Sequence, residues 1–173
     1  MKLSANLGLL WSELPLLERV YKAKEKNFDA VEFQFPYEVD ANELKKAIDK
    51  INLPIIGINT IKGNVSKGDN GLNAVPSRVQ EARSAIDQAI EYAKVIGSKN
   101  IHFMCGITEQ NHNSLKTLVE NLQYAVSQLN DTNIGLVIEP KNQKDFPGYF
   151  LTNVEQAKEL SLIHISEPTR PSI

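Results

Sequence analysis

Short apolar runs alternate with amphipathic stretches along the chain, and this alternation limits the fold more than any other feature of the sequence. The five apolar runs span residues 3–10, 30–36, 54–60, 100–106 and 135–140. Each is rich in Val, Ile, Leu or Phe and is bounded by Gly, Pro, Asn or Asp. Near-continuous apolar runs of this length are typical of parallel strands that are covered on both faces.

A stretch with helical spacing of apolar residues follows each run. The second stretch begins with a capping-box pattern at Asp40–Glu43, the third follows Pro76 and stops at Gly97, and the fifth begins with a capping box at Thr152–Glu155 and runs to about Leu160. The predicted order is therefore strand then helix, five times over. Strict alternation predicts an α/β fold with a parallel sheet and right-handed crossovers.

Two architectures fit this order, an open doubly wound sheet and a closed eight-stranded barrel. The chain has 173 residues, whereas a complete barrel takes about 250, so length alone favours the open sheet. No GxGxxG or Walker sequence follows any run. That absence removes the commonest nucleotide-binding roles of a doubly wound sheet and favours the barrel.

Charge and composition narrow the range of partners. The net charge is -2, which does not indicate a nucleic-acid partner. No apolar run approaches the roughly 20 residues of a membrane helix, and the start of the chain resembles a buried strand more than a signal peptide. Cys105 is the only cysteine, so we interpret it as a packed small hydrophobe. These features predict a cytoplasmic protein with no membrane partner.

The longest connection, residues 61–75, contains three glycines and follows a strand. It therefore lies at the carboxyl end of the sheet, where α/β proteins build their sites. It could be a mobile lid over a substrate or a flexible surface loop, and the sequence does not decide between them.

Glu139 is the most informative polar residue because it ends the apolar run 135–140 and precedes Pro140. A carboxylate at that position could ligate a divalent metal and take a proton from a carbon next to a carbonyl. Alternatively, it could be a strand-end carboxylate paired with a lysine such as Lys141. For Glu32, inside the second run, we favour a structural ion pair near the bottom of the sheet.

His102 lies in an apolar run and His112 in a polar stretch. A lone strand histidine such as His102 is more often a satisfied core residue than a ligand, although it remains a candidate for the site. His112 lies in a polar stretch, so we expect it to be solvated.

Several strings resemble those of hydroxypyruvate isomerases. They are residues 5–7 (ANL), 28–37 (FDAVEFQFPY), 68–78 from Gly68-Asp69 to Pro76-Ser77-Arg78, 138–142 (IEPKN) and 145–151 (DFPGYFL). The similarity runs from about residue 3 to about residue 160. The 2-oxo-tetronate isomerases share much of it, so the substrate is less certain than the family.

The resemblance implies part of a xylose isomerase-like TIM barrel, about five of its eight βα units. It implies interconversion of the aldehyde and ketone forms of a small hydroxy-acid, such as tartronate semialdehyde and hydroxypyruvate. Glu139 would be the first of two glutamates that bind Mg²⁺ or Mn²⁺ and move the proton. Asp145 would lie near the substrate oxygens, and four residues would line the cavity: Asn6, Phe35, Asn59 and His102. The complete parent would be a homo-oligomer.

The resemblance implies that residues 1–160 are the N-terminal part of the barrel, and it fails in the tail, residues 161–173. Pro168 and Pro171 oppose a continuing helix or a central strand, and the string resembles translated sequencing-adapter text. We therefore expect the tail to be non-native. A barrel that lacks three units has open edges at its first and fifth strands and too few metal ligands, so we expect the chain as written to aggregate and to be inactive.

Other functions remain open. A 2-oxo-tetronate isomerase, a sugar epimerase or a metal-dependent endonuclease of apurinic sites would use the same fold. A net charge of -2 and three scattered histidines weigh against the endonuclease. A non-catalytic half-barrel that binds a partner through its open edges is the alternative outside enzymology.

Overall fold

The computed structural model describes residues 1–164, and in this part of the chain five strands alternate with five α-helices. The strands are β1 (Ser4–Asn6), β2 (Ala30–Glu32), β3 (Ile58–Asn59), β4 (Asn100–His102) and β5 (Gly135–Val137). The helices are α1 (Leu16–Glu25), α2 (Ala41–Ile51), α3 (Val79–Ile96), α4 (His112–Leu129) and α5 (Val154–His164). Short 3₁₀ turns occupy Val65–Lys67 and Pro76–Arg78.

The chain divides into two compact units. The strand unit comprises Met1–Ile61, Ala85–Phe103 and Asp131–Val137. The loop unit comprises Lys62–Ser84, Met104–Asn130 and the described residues from 138 onwards.

All five strands belong to the strand unit and follow one another in chain order. β1 pairs with β2, β3 with β4 and β4 with β5, always in parallel. A parallel bridge between Val31 and Ile55 joins β2 to the segment just before β3. A doubly wound sheet reverses its strand order at a switch point, whereas a barrel keeps the order of the sequence. The observed order confirms the parallel α/β fold and matches a barrel segment.

The strands are shorter than the apolar runs that predicted them. After β1, the backbone N–H groups of Leu9 and Leu10 bond to the carbonyl of Asn6 at 3.2 and 2.9 Å, so the run turns instead of continuing. β5 also differs, because its residues are half-buried or exposed where the sequence predicted cover on both faces. Within the described residues β5 pairs with β4 alone, which leaves Val137 43% exposed.

Helix α2 forms as its sequence predicts. The carboxylate of Asp40 accepts hydrogen bonds from the N–H groups of Asn42 and Glu43 at 3.0 and 3.1 Å. The apolar stripe of the helix is buried: Leu44, Ala47, Ile48 and Ile51. Asn52, in the left-handed region at φ 51°, ends the helix.

The capping residue of α5 was predicted one position too early. The N–H of Gln156 donates to the side chain of Asn153 at 2.8 Å, and the side chain of Gln156 accepts from the N–H of Thr152 at 3.1 Å. Asn153 therefore caps the helix, and Gln156 takes the place assigned to Glu155. The helix also continues to His164, four residues past the predicted end. Residues 165–173, most of the tail that we expect to be non-native, lie outside the described residues.

The second half of the loop after β3 is anchored in the loop unit. Residues 70–74 therefore form neither a mobile lid nor a flexible surface loop. Residues 70–74 are buried. Their backbone forms hydrogen bonds with the segment after β4. The N–H of Asn73 donates to the carbonyl of Met104 at 3.2 Å, and the N–H of Ala74 donates to the carbonyl of Cys105 at 2.7 Å. Because these buried backbone groups are hydrogen-bonded, this part of the loop is fixed within the loop unit. The exposed part is the turn at residues 64–68.

Asp69 fixes the end of that exposed turn. Its carboxylate accepts a hydrogen bond from the N–H of Asn64 at 2.6 Å and pairs with the guanidinium of Arg78 at 2.5 Å. The hydrogen bond from Arg78 is the main reason that the pKa of Asp69 lies below its ordinary value. The ion pair ties the turn to the beginning of α3.

The core of the loop unit is built from aromatic and aliphatic side chains. Its largest fully buried members are Leu118, Leu122, Tyr149, Phe150 and Leu151. No helix within residues 1–164 is long and apolar enough to cross a membrane.

Candidate functional site

The first four strands each end on a polar residue: Asn6, Glu32, Asn59 and His102. The strand register places Asn6 beside Glu32 and Asn59 beside His102. The carboxyl ends of parallel strands lie on one edge of the sheet, where barrels and open sheets bind their ligands. The strand unit therefore carries a row of hydrogen-bonding side chains along that edge.

The sequence indicated that Glu32 lies near the bottom of the sheet, and this prediction is wrong. Glu32 is the last residue of β2, and its carboxylate is half-buried and makes no ion pair within the described chain. It belongs to the same edge as Asn6. Its place as the last residue of an apolar strand was the signal that could have identified it.

Asn59 and His102 are in direct contact. Nδ1 of His102 lies 3.2 Å from Oδ1 of Asn59. Because an amide oxygen can only accept, this hydrogen bond forms in the tautomer that carries the proton on Nδ1. The hydroxyl of Tyr37 donates to the backbone carbonyl of Asn59, and this hydrogen bond helps to fix the position of Asn59. The Nε2 atom of His102 is buried.

The other two candidates of the strand unit are Asn6 and Phe35. The side-chain oxygen of Asn6 accepts from the N–H of Gly8 at 3.0 Å, which leaves the amide Nδ2 as its donor towards a ligand. Phe35 lies three residues beyond β2 and lines a cavity of about 140 Å³. Arg19 also lines that cavity, and its guanidinium donates to the backbone carbonyls of Leu7, Ser12 and Leu14 at 2.7 to 2.9 Å.

In the loop unit, Glu139 pairs with Lys141, as expected if it were a strand-end carboxylate paired with a lysine. It lies two residues beyond β5, and its Oε2 is 2.7 Å from the ammonium of Lys141. The Glu139 side chain is 56% exposed, whereas that of Lys141 is only 15% exposed. The carboxylate is therefore accessible and partly neutralised by its neighbour.

Aromatic rings surround the ammonium of Lys141. Its Nζ lies 4.9 Å from the ring centre of Phe146 and 5.9 Å from that of Tyr149. Both distances are within the range of a cation–π contact. Asp145, in the same segment, pairs with Asn142 through a 2.9 Å side-chain hydrogen bond, and within the described residues it does not contact Glu139.

Cys105 is a packed, neutral thiol, as predicted. It is fully buried, and burial raises the pKa of its thiol to about 12. Its backbone N–H donates to the hydroxyl of Tyr149 at 2.9 Å. Burial likewise raises the pKa of the Tyr149 hydroxyl. A nucleophilic role for Cys105 at neutral pH is therefore unfavourable.

The described residues do not form a complete metal centre. Within them, no group of three or more His, Cys, Asp or Glu side chains could hold a metal ion. A hard divalent cation needs several oxygen ligands, and the Glu139 carboxylate is already paired with an ammonium. A metal at Glu139 would thus require ligands from beyond these residues.

Comparison with known proteins decides the family. Residues 20–162 match the xylose isomerase-like TIM barrel family. The chain belongs to this family. It is 39% identical over 163 residues to the hydroxypyruvate isomerase of Escherichia coli K12, a match that covers 92% of this chain and 63% of that protein. It is 35% identical over 162 residues to the 2-oxo-tetronate isomerase of Cupriavidus necator, covering 92% of this chain and 62% of the relative.

A solved structure supports the same assignment. The crystal structure named AP endonuclease, family 2, from Brucella melitensis superposes with a TM-score of 0.87 at 35% identity. That match covers 92% of this chain and 63% of the other. The chain thus has the fold of a TIM barrel over a little less than two thirds of the length of these relatives.

Proposed function

We propose that the complete protein is an isomerase that interconverts the aldehyde and ketone forms of a small hydroxy-acid, with hydroxypyruvate and tartronate semialdehyde as the first pair to test. The proposal is supported by two relatives of 39% and 35% identity that are named as isomerases of such compounds. The observation that carries it is the accessible carboxylate of Glu139, two residues past the end of β5.

Glu139 would act as the base. Its carboxylate takes a proton from the carbon that bears the hydroxyl, and an enediolate forms. The carboxyl group, whose proton exchanges with water, then protonates the neighbouring carbon. The hydroxyl proton moves to the former carbonyl oxygen, so that carbonyl and hydroxyl exchange positions. A divalent ion, Mg²⁺ or Mn²⁺, would supply positive charge for the enediolate when bound, with Glu139 as one of its ligands.

The polar strand ends would bind the substrate. Asn6, Asn59 and His102 offer an amide, an amide and an imidazole at the carboxyl ends of β1, β3 and β4. Such groups bind hydroxyl and carboxylate oxygens. We further propose that Phe35 covers an apolar side of the substrate and that Asp145 contacts its hydroxyl groups.

The choice of substrate has one close competitor. The 35% identity to a 2-oxo-tetronate isomerase supports a four-carbon hydroxy-acid almost as well. A sugar epimerase of the same fold, or a non-catalytic half-barrel, would lack isomerase activity on either compound. We propose a cytoplasmic homo-oligomer as the state of the complete protein.

Deuterium exchange tests the reaction. The product of the complete gene is incubated in D₂O with hydroxypyruvate or 2-oxo-tetronate, and proton NMR follows both the isomer formed and the deuterium at the reacting carbons. An enediolate route predicts isomerisation with deuterium entering from solvent. No isomerisation of either acid would reject the proposal, and isomerisation without any deuterium would reject the role of a solvent-exposed base.

A further inference from the structure

We propose that Lys141 is a substrate-binding residue whose ammonium binds the carboxylate of the hydroxy-acid beside Glu139. This inference rests on the proposed isomerase function and adds to it the group that recognises the acid. It depends on three features of the loop unit, which are the fixed position of the ammonium, the positive charge that it places beside Glu139 and its distance from Glu139.

The ammonium of Lys141 is fixed in place by its surroundings. The backbone N–H of Lys141 donates to the carbonyl of Leu151 at 2.9 Å. The side chain is 15% exposed, and its charge lies over the rings of Phe146 and Tyr149. An exposed lysine samples many rotamers, whereas this one presents its charge at a defined point.

Charge favours a cation beside Glu139. A hydroxy-acid is an anion, so it would be repelled by a base that is itself a carboxylate. The ammonium 2.7 Å from Glu139 makes the pair neutral overall. It has three N–H donors, so it can bond to Glu139 and to a substrate carboxylate together.

The distance between Lys141 and Glu139 also suits the reaction. Two carboxylates that bind one ammonium lie close to each other. The carbons that exchange the proton in hydroxypyruvate are the first and second beyond its carboxylate. A substrate held by Lys141 therefore has its reacting carbons next to the base.

Lys144 provides a matched control. It carries the same charge on the same segment, three residues further on, but it is exposed. If general attraction were enough to bind the acid, Lys144 would serve as well as Lys141.

The experiment measures binding of glycerate, which has the carboxylate of the substrate, a hydroxyl on each of the two reacting carbons and no carbonyl to isomerise. Isothermal titration calorimetry is done on the complete protein and on Lys141→Met, Lys141→Arg and Lys144→Met. We expect Lys141→Met to weaken binding by about tenfold or more, the size of a hydrogen bond between charged groups. Lys141→Arg should retain most of the affinity, and Lys144→Met should stay within about twofold.

A measurement on the unchanged protein guards against a variant that does not fold. The ¹⁵N resonance of the Lys141 ammonium should shift as glycerate is added and saturate with the binding curve. An ammonium resonance that does not move, or a Lys141→Met variant that binds glycerate as tightly as the unchanged protein, would overturn the inference. A protein that binds no glycerate at all would overturn it too.

The outcomes separate this inference from the isomerase proposal. Glycerate binding that depends on Lys141, without isomerisation of hydroxypyruvate, keeps the carboxylate site and rejects the activity. Isomerisation with a KM that is unchanged in Lys141→Met keeps the activity and rejects the role of Lys141.

Discussion

Gly71 lies where two backbone segments of the loop unit come close together. Its φ is +110°, and a Cβ at this position would lie 2.4 Å from the carbonyl oxygen of Met104. Only glycine satisfies both constraints, because an added methyl group would strain φ and meet backbone that cannot move aside. This contact holds the buried half of the loop after β3.

Gly71→Ala should therefore destabilise the chain by about 3 kcal/mol or more, the sum of a left-handed φ penalty and an overpacked contact. Gly68→Ala is the control, since Gly68 also has a positive φ of 87° but no atom within 4 Å of the added Cβ. It should cost about 1 kcal/mol. Urea unfolding of both variants measures the difference, and equal losses would show that the close approach to Met104 is unimportant.

At the scale of single residues, the sequence identifies which polar residues interrupt the strands better than it identifies where those residues lie along each strand. Asn6, Asn59 and His102 were expected to line a cavity and do end their strands, but only the strand register brings Asn59 to His102. Glu32 was assigned to the wrong end of its strand. The sequence shows that a polar residue interrupts an apolar run, but the true end of the strand depends on where its neighbour stops pairing.

Among the elements, helix α5 offers a direct test of the capping residue. Asn153→Ala should lower the stability by about 1 kcal/mol, because the N–H of Gln156 loses its side-chain acceptor. Thr152→Ala should change it by less than about 0.5 kcal/mol, because Thr152 is the residue before the cap. Thermal unfolding followed by circular dichroism measures both variants, and a larger loss for Thr152→Ala would restore the capping frame predicted from sequence.

The helices were easier to predict than the strands for a physical reason. Helix signals such as the Asp40 cap and the stripe from Leu44 to Ile51 lie within one segment and report on contacts inside it. Strand pairing joins distant segments, so an apolar run such as residues 3–10 shows that a strand exists but not that it turns after Asn6. The anchored loop after β3 was missed for the same reason, because its partners lie about 30 residues away.

For the whole molecule, the ends of the sheet lead us to expect association between chains. Within the described residues, β1 pairs with β2 alone and β5 with β4 alone. Unpaired strand edges promote association between chains. Whether residues 161–173 are native remains a prediction, which sequencing the source gene beyond the codon for Leu160 would test.

Val137→Lys should reduce self-association of the purified chain, because it puts a charge on the exposed end of β5. Val65→Lys is the control, since Val65 is more exposed, at 62%, but lies on a turn. Sedimentation velocity measures the aggregated fraction. The edge explanation would fail if both substitutions reduced aggregation equally, since solubility from added charge would then account for the effect.

The most direct test of the account is the isomerase rate of the complete gene product with Glu139→Gln. The substitution keeps the shape of the side chain and removes the base, so isomerisation of hydroxypyruvate should fall by about 10²- to 10⁴-fold. Asp131→Asn, which removes an exposed carboxylate from the segment before β5, should leave the rate within about twofold. A Glu139→Gln enzyme that keeps the unchanged rate would contradict the assignment of Glu139 as the base.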